Sequence, residues 1–160
     1  MITGAERDQL PSHTAALLRH FADLRDRDYA GVRSRADKER AFAASAVLLD
    51  PVARTALDEI NDTLLLGKGA VSASGVDRTR DGGLGASWTL SWPEQEAARV
   101  PPITLQAAYG AGFHHPHLRG GTVRDWPFNV FTAQQAQAEL HNLVFMSDYR
   151  IVPATVVREA

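Results

Sequence analysis

The sequence predicts an α+β fold: N-terminal helices, then a mainly antiparallel sheet with one late helix packed on it. Three observations carry this. Apolar residues recur at helical spacing as far as Leu64. After Gly67 the apolar period drops to two. Thr132 and Gln135 then form a capping box that opens a last helix. Helices segregated from consecutive strands give α+β rather than alternating α/β architecture.

Leu10, Leu17, Phe21 and Leu24 lie on one stripe, with Arg19, Asp23, Arg25 and Asp26 opposite. They predict an amphipathic helix over about residues 12 to 28, with Ser12 as N-cap and Gly31 closing the segment. His13 and His20, seven positions apart, read as its polar flank rather than as ligands. The Arg-rich stretch Arg25–Arg35 reads as a solvated connection. Asp37 opens a second helix carrying Phe42, Ala46 and Leu49. Asp50-Pro51 ends that helix and starts a third, carrying Val52, Ala56, Ile60 and Leu64, with Gly67 as the stop.

Ala86, Trp88, Leu90 and Trp92 alternate with Ser87, Thr89 and Ser91, the clearest strand of the chain, and Pro93 ends it. Ala70–Val76 pairs with it as a hairpin across the charged loop Asp77–Gly83. Ile103, Leu105, Ala107 and Tyr109 mark another strand, and Pro127–Phe131 a short one. The capping-box helix runs to about Met146. Arg150–Val157 reads as a last strand, confined to an edge by Pro153.

A chain of 160 residues makes one domain, 1–160, with a helical part over about 1–67 and a sheet part over about 68–160. Its 44% hydrophobic and 22% charged residues exclude wholly disordered, collagen-like and coiled-coil classes. A net charge of −2 supplies no basic excess for nonspecific nucleic-acid binding. The absence of Cys removes disulfides, thiol nucleophiles and thiolate metal sites. No apolar run is long enough for a membrane span, and MITGAERDQL lacks the apolar core of a signal peptide, so a soluble cytoplasmic protein is expected.

The chemistry-bearing segment is GAGFHHPHLRGG, Gly110–Gly121, which follows a strand and is bounded by glycines. Pro116 pushes His115 toward extended angles, which sends His115 and His117 to one side and His114 to the other. Two neutral imidazoles on one side make a half-site for Zn, Fe, Mn or Cu. A polyproline geometry would separate them. The expected third ligand is His141. Asp148 shares its helix face if the helix persists that far, and Gln134 and Gln137 lie near that stripe. Asp148 and Glu139 are the alternative carboxylates, and Asp148 the expected catalytic group. Acid–base work by His115 or His117 without a metal is also open chemistry.

Around this segment, Tyr109, Phe113, Trp126, Phe128 and Phe131 fit either a pocket or a core. Arg119 and Arg124 suit bidentate grip on a carboxylate or phosphate. Asp125 is placed to orient an imidazole, and Asn129 to face the site. The expected substrate contacts are thus Tyr109, Phe113, Arg119, Arg124, Trp126 and Asn129. Gly110-Ala111-Gly112 lacks the third glycine and the helix of a dinucleotide loop. Phosphate-loop, H-E-x-x-H and G-x-S-x-G motifs are missing, so no nucleotide cofactor is indicated.

These residues point to a small metal-dependent enzyme, oxygenase-like or hydrolase-like. It would hold one transition-metal ion and act on a small polar or aromatic molecule. Two other readings stay open: a noncatalytic subunit of a larger complex or homo-oligomer, and a metal-free small-molecule-binding protein.

Overall fold

The computed structural model describes Thr3 and residues 10–156. It contains N-terminal helices, an open antiparallel sheet and several short helices after it. Helix α1, Ser12–Asp26, ends at Arg27, which takes a left-handed φ of 56°. Ser12 is the first helical residue after Pro11 rather than the N-cap, and its Oγ accepts from Asn142 Nδ2 at 3.1 Å. Gly31 belongs to the turn that follows, closed by a bridge between Tyr29 and Val32.

Helix α2, Arg35–Leu64, is one continuous element where the sequence predicts two. Ser34 caps it, its side chain accepting from Asp37 N at 3.1 Å. Pro51 lies inside it and denies a hydrogen bond to the carbonyl of Val47. Both residues are exposed, Val47 at 71%, so that carbonyl faces water. The buried stripe Phe42, Ala46, Leu49, Ala53, Ala56 and Ile60 keeps helical register straight through the proline. Burial of that stripe outweighs one lost hydrogen bond on the solvated side.

Strands β1 (Ala70–Ala73) and β2 (Asp77–Arg78) both pair with β3 (Leu84–Ser91). The sheet continues antiparallel through β4 (Ile103–Tyr109), β5 (His117–Arg119) and β6 (Trp126–Pro127). Trp88, Leu90, Ile103, Leu105, Ala107 and Leu118 form the core face against α2. On the other face lie Ser87, Thr89, Thr104, Gln106, His117 and Arg119, none of them fully buried. Register places His117 opposite Ala108 and Arg119 opposite Gln106. His117 and Arg119 therefore share the polar face, while Leu118 points into the core.

Pro93 ends β3 and also opens a short helix, α3 (Pro93–Ala97). Of the predicted strand Pro127–Phe131, only Pro127 is paired, in β6. The carbonyls beyond it are taken by side chains: Phe128 O by Tyr29 Oη at 2.8 Å, Asn129 O by Arg19 Nε at 3.1 Å. The capping-box helix forms as two pieces, α4 (Ala133–Ala138) and α5 (Leu140–Met146), both lying against α2. Thr132 Oγ1 accepts from Gln135 N at 3.0 Å, while Gln135 Oε1 accepts from Phe131 N at 2.8 Å.

The predicted last strand is instead helix α6, Ile151–Val156; Val157 lies outside the described residues. Asp148 adopts φ 58°, and Ile151 N donates to its carbonyl at 3.2 Å, starting the turn. Pro153 falls in the first turn, where its missing N–H breaks nothing. Thr155 Oγ1 then receives the Trp92 indole N–H at 3.0 Å, tying α6 to the end of β3. Among the described residues, no helix is long and apolar enough to cross a membrane.

Candidate functional site

The His-rich segment is anchored at its start by Arg35, from the first turn of α2. Its guanidinium donates to Phe113 O at 3.0 Å and Gly110 O at 3.2 Å, and sits 3.6 Å from the centre of the Tyr109 ring. Tyr109 itself is 1% exposed and packs on Phe42, so it is core rather than a ligand contact. At the far end, Gly120 and Gly121 let the chain touch the end of α5. A Cβ at Gly120 would overlap the Met146 carbonyl, and one at Gly121 the Asp148 side chain. Both glycines are needed for close approach, but to the protein's own chain rather than to a ligand.

His115 and His117 each lie against one further imidazole. The group they meet is His20 of α1, not His141. The His20 ring centre lies 5.3 Å from that of His115 and 6.3 Å from that of His117. His115 is buried, with Nε2 3.0 Å from the carbonyl oxygen of Asp28 and the Tyr29 ring edge-on at 6.3 Å. A carbonyl only accepts, so Nε2 carries the proton and Nδ1 holds a lone pair. That Nδ1 is buried and has no hydrogen-bond partner. Phe113, 48% exposed, closes the other side of His117 at 5.8 Å between ring centres.

Burial lowers the pKa of all three imidazoles. His117 adds to the effect on His20; the Asp28 carbonyl opposes it on His115; Asp125 opposes it on His117. Sequence reasoning set His20 aside as helix flank. A stripe of one helix carries no information about which distant loop it will meet. Beneath this cluster Asp23, on the next turn of α1, has its pKa pushed up to about 7 by burial and by the neighbouring Asp28 carboxyl.

His141 is exposed on α5, and its side chain makes no ring contact or hydrogen bond with a described residue. It does not share a helix face with Asp148, because α5 ends at Met146 and Asp148 lies beyond it in a left-handed turn. Glu139 is 1% exposed between α4 and α5. There it accepts from Asn142 Nδ2 at 2.9 Å and the Trp126 indole faces it; burial raises its pKa. Asn129 is likewise committed to the scaffold, donating to Ala16 O at 2.8 Å and accepting from Arg19. Among the described residues, no group of three or more His, Cys, Asp or Glu side chains is placed to hold a metal ion.

Arg119 and Arg124 lead elsewhere, into an open cleft of about 990 Å³. β4 and the end of β5 form one wall; the turn after α5 and helix α6 form the other. Pro101, Pro102, Ile151 and Ala154 make it partly apolar, and Arg119, Arg124, Asp125 and Asp148 supply charge. Asp148 is turned onto Arg150, with Oδ1 3.1 Å from Nε. Asp125 acts on His117, which adjoins the cleft through β5. The guanidinium groups of Arg119 and Arg124 form no hydrogen bond or ion pair with any described residue. Compared with family models, curated proteins and solved structures, the chain matches none.

Proposed function

We propose that the cleft beside β5 binds a small organic molecule bearing a carboxylate or phosphate, and that this is the protein's primary role. The observation that carries the reading is the pair Arg119 and Arg124: two guanidinium groups lining one large cleft, neither engaged by a carboxylate. Of the acids of the same cleft, Asp148 is already turned onto Arg150. A guanidinium presents a planar fork of donors that matches an oxyanion. The proline and α6 wall suits the apolar part of such a ligand.

The test is a thermal-shift and calorimetric screen of metal-free protein against mono- and dicarboxylates and phosphate esters. A binding anion is expected, weakened about tenfold or more by Arg119→Ala and by Arg124→Ala, since a charge-assisted hydrogen bond contributes about 1.5–3 kcal/mol. Anion binding that ignores both substitutions, or no binding anywhere in the screen, overturns this reading.

A further inference from the structure

We infer that His20, His115 and His117 form a site for one zinc-like divalent transition-metal ion, a ligand set that joins helix α1 to the His-rich loop. The inference is independent of the anion cleft.

Its starting point is the fixed tautomer of His115. Donation from Nε2 to the Asp28 carbonyl at 3.0 Å leaves the Nδ1 lone pair buried and unpartnered. Metal-bound imidazoles are oriented in this way: one ring N–H goes to a backbone carbonyl or carboxylate, and the opposite nitrogen goes to the ion. A buried acceptor with no donor is otherwise unfavourable.

The two other rings are the groups nearest to hand. Two imidazoles on one tetrahedral ion, each bonded at about 2.0–2.1 Å, have ring centres about 5 Å apart. His20 and His115 stand at 5.3 Å, close to that spacing, with planes 83° apart. His117, at 6.3 Å from His20, has to move inward slightly. The His20 and His117 rings are only half-buried, and neither makes a hydrogen bond to a described residue that would hold it in place against the fixed His115. The proposed site requires both rings to turn, because as they stand no group of three or more such side chains among the described residues could hold an ion.

The donor chemistry selects the ion. Three neutral nitrogens suit Zn(II), Co(II), Ni(II) or Cu(II), and suit the oxygen-seeking Mg(II) and Ca(II) poorly. Burial lowers the pKa of each ring and so favours the uncharged form that ligation requires. Three protein ligands leave a fourth position open.

The experiment is titration of chelator-stripped protein with Zn(II) by calorimetry and with Co(II) by visible absorption. One equivalent is expected to bind, with the intense bands of tetrahedral cobalt. His20→Ala and His117→Ala should each weaken it about tenfold or more. These half-buried positions make no hydrogen bond whose loss would unfold the protein, and far-ultraviolet circular dichroism verifies that. His114→Ala and His141→Ala should leave affinity unchanged. No stoichiometric binding overturns the inference. So does binding that survives His20→Ala, or that disappears with His141→Ala.

Discussion

The Trp88 indole N–H donates to Asp50 Oδ1 at 2.9 Å, joining the central strand β3 to the middle of α2. Trp88 is 2% exposed, so its N–H has no ready access to water. Asp50 also accepts from Arg54 one turn along, an exposed pair of little energetic weight. Replacing the acceptor leaves a buried donor unpaired, which costs about 1–3 kcal/mol. Asp50→Ala is therefore expected to lower stability by that amount in urea denaturation, and Asp50→Asn, which keeps an oxygen there, by clearly less. Equal losses in the two variants would show that the hydrogen bond is not the source.

The next residue is the proline that failed to end the helix. Its ring removes one backbone hydrogen bond, yet the tertiary contacts on either side of it, Leu49 and Ala53, are fully buried. Pro51→Ala restores an N–H to the Val47 carbonyl, but also loosens the unfolded chain. The expected net gain is about 1–2 kcal/mol, below the full helix-interior proline penalty because the site is solvated. A higher urea midpoint with unchanged m-value checks it. A drop in stability would mean that the proline is preferred there.

Asp23 sets a pH dependence. Burial, the Asp28 carboxyl and Asp26 raise its pKa to about 7, with Arg19 opposing them. A carboxyl whose folded pKa lies above its unfolded value favours folding most when protonated in both states. Its penalty grows as pH rises from about 4 and is complete above about 7. Asp23→Asn removes the penalty. The variant should match the parent at pH 3.5 and exceed it at pH 8 by about 1–2 kcal/mol, after allowance for solvent screening of a half-exposed group. Parallel stability curves for the two proteins across that range would contradict this assignment.

Local pattern alone determined the helix-then-sheet order, the alternating faces of β3 and β4, and the cap at Thr132, because each follows from neighbours within a few residues. Only tertiary packing decided the rest. The stretch Ile151–Val156, β-branched and interrupted by proline, became a helix because Trp92 offers Thr155 a buried partner and the sheet edge lies elsewhere. Asn129 and Tyr109 went to the scaffold, while Arg119 and Arg124 were left to an open cleft. His20 met the imidazoles instead of His141 because α1 folds back onto the loop, whereas α5 turns His141 to solvent. Spacing along a chain fixes which residues share a face; which faces meet is set by the burial of the whole core.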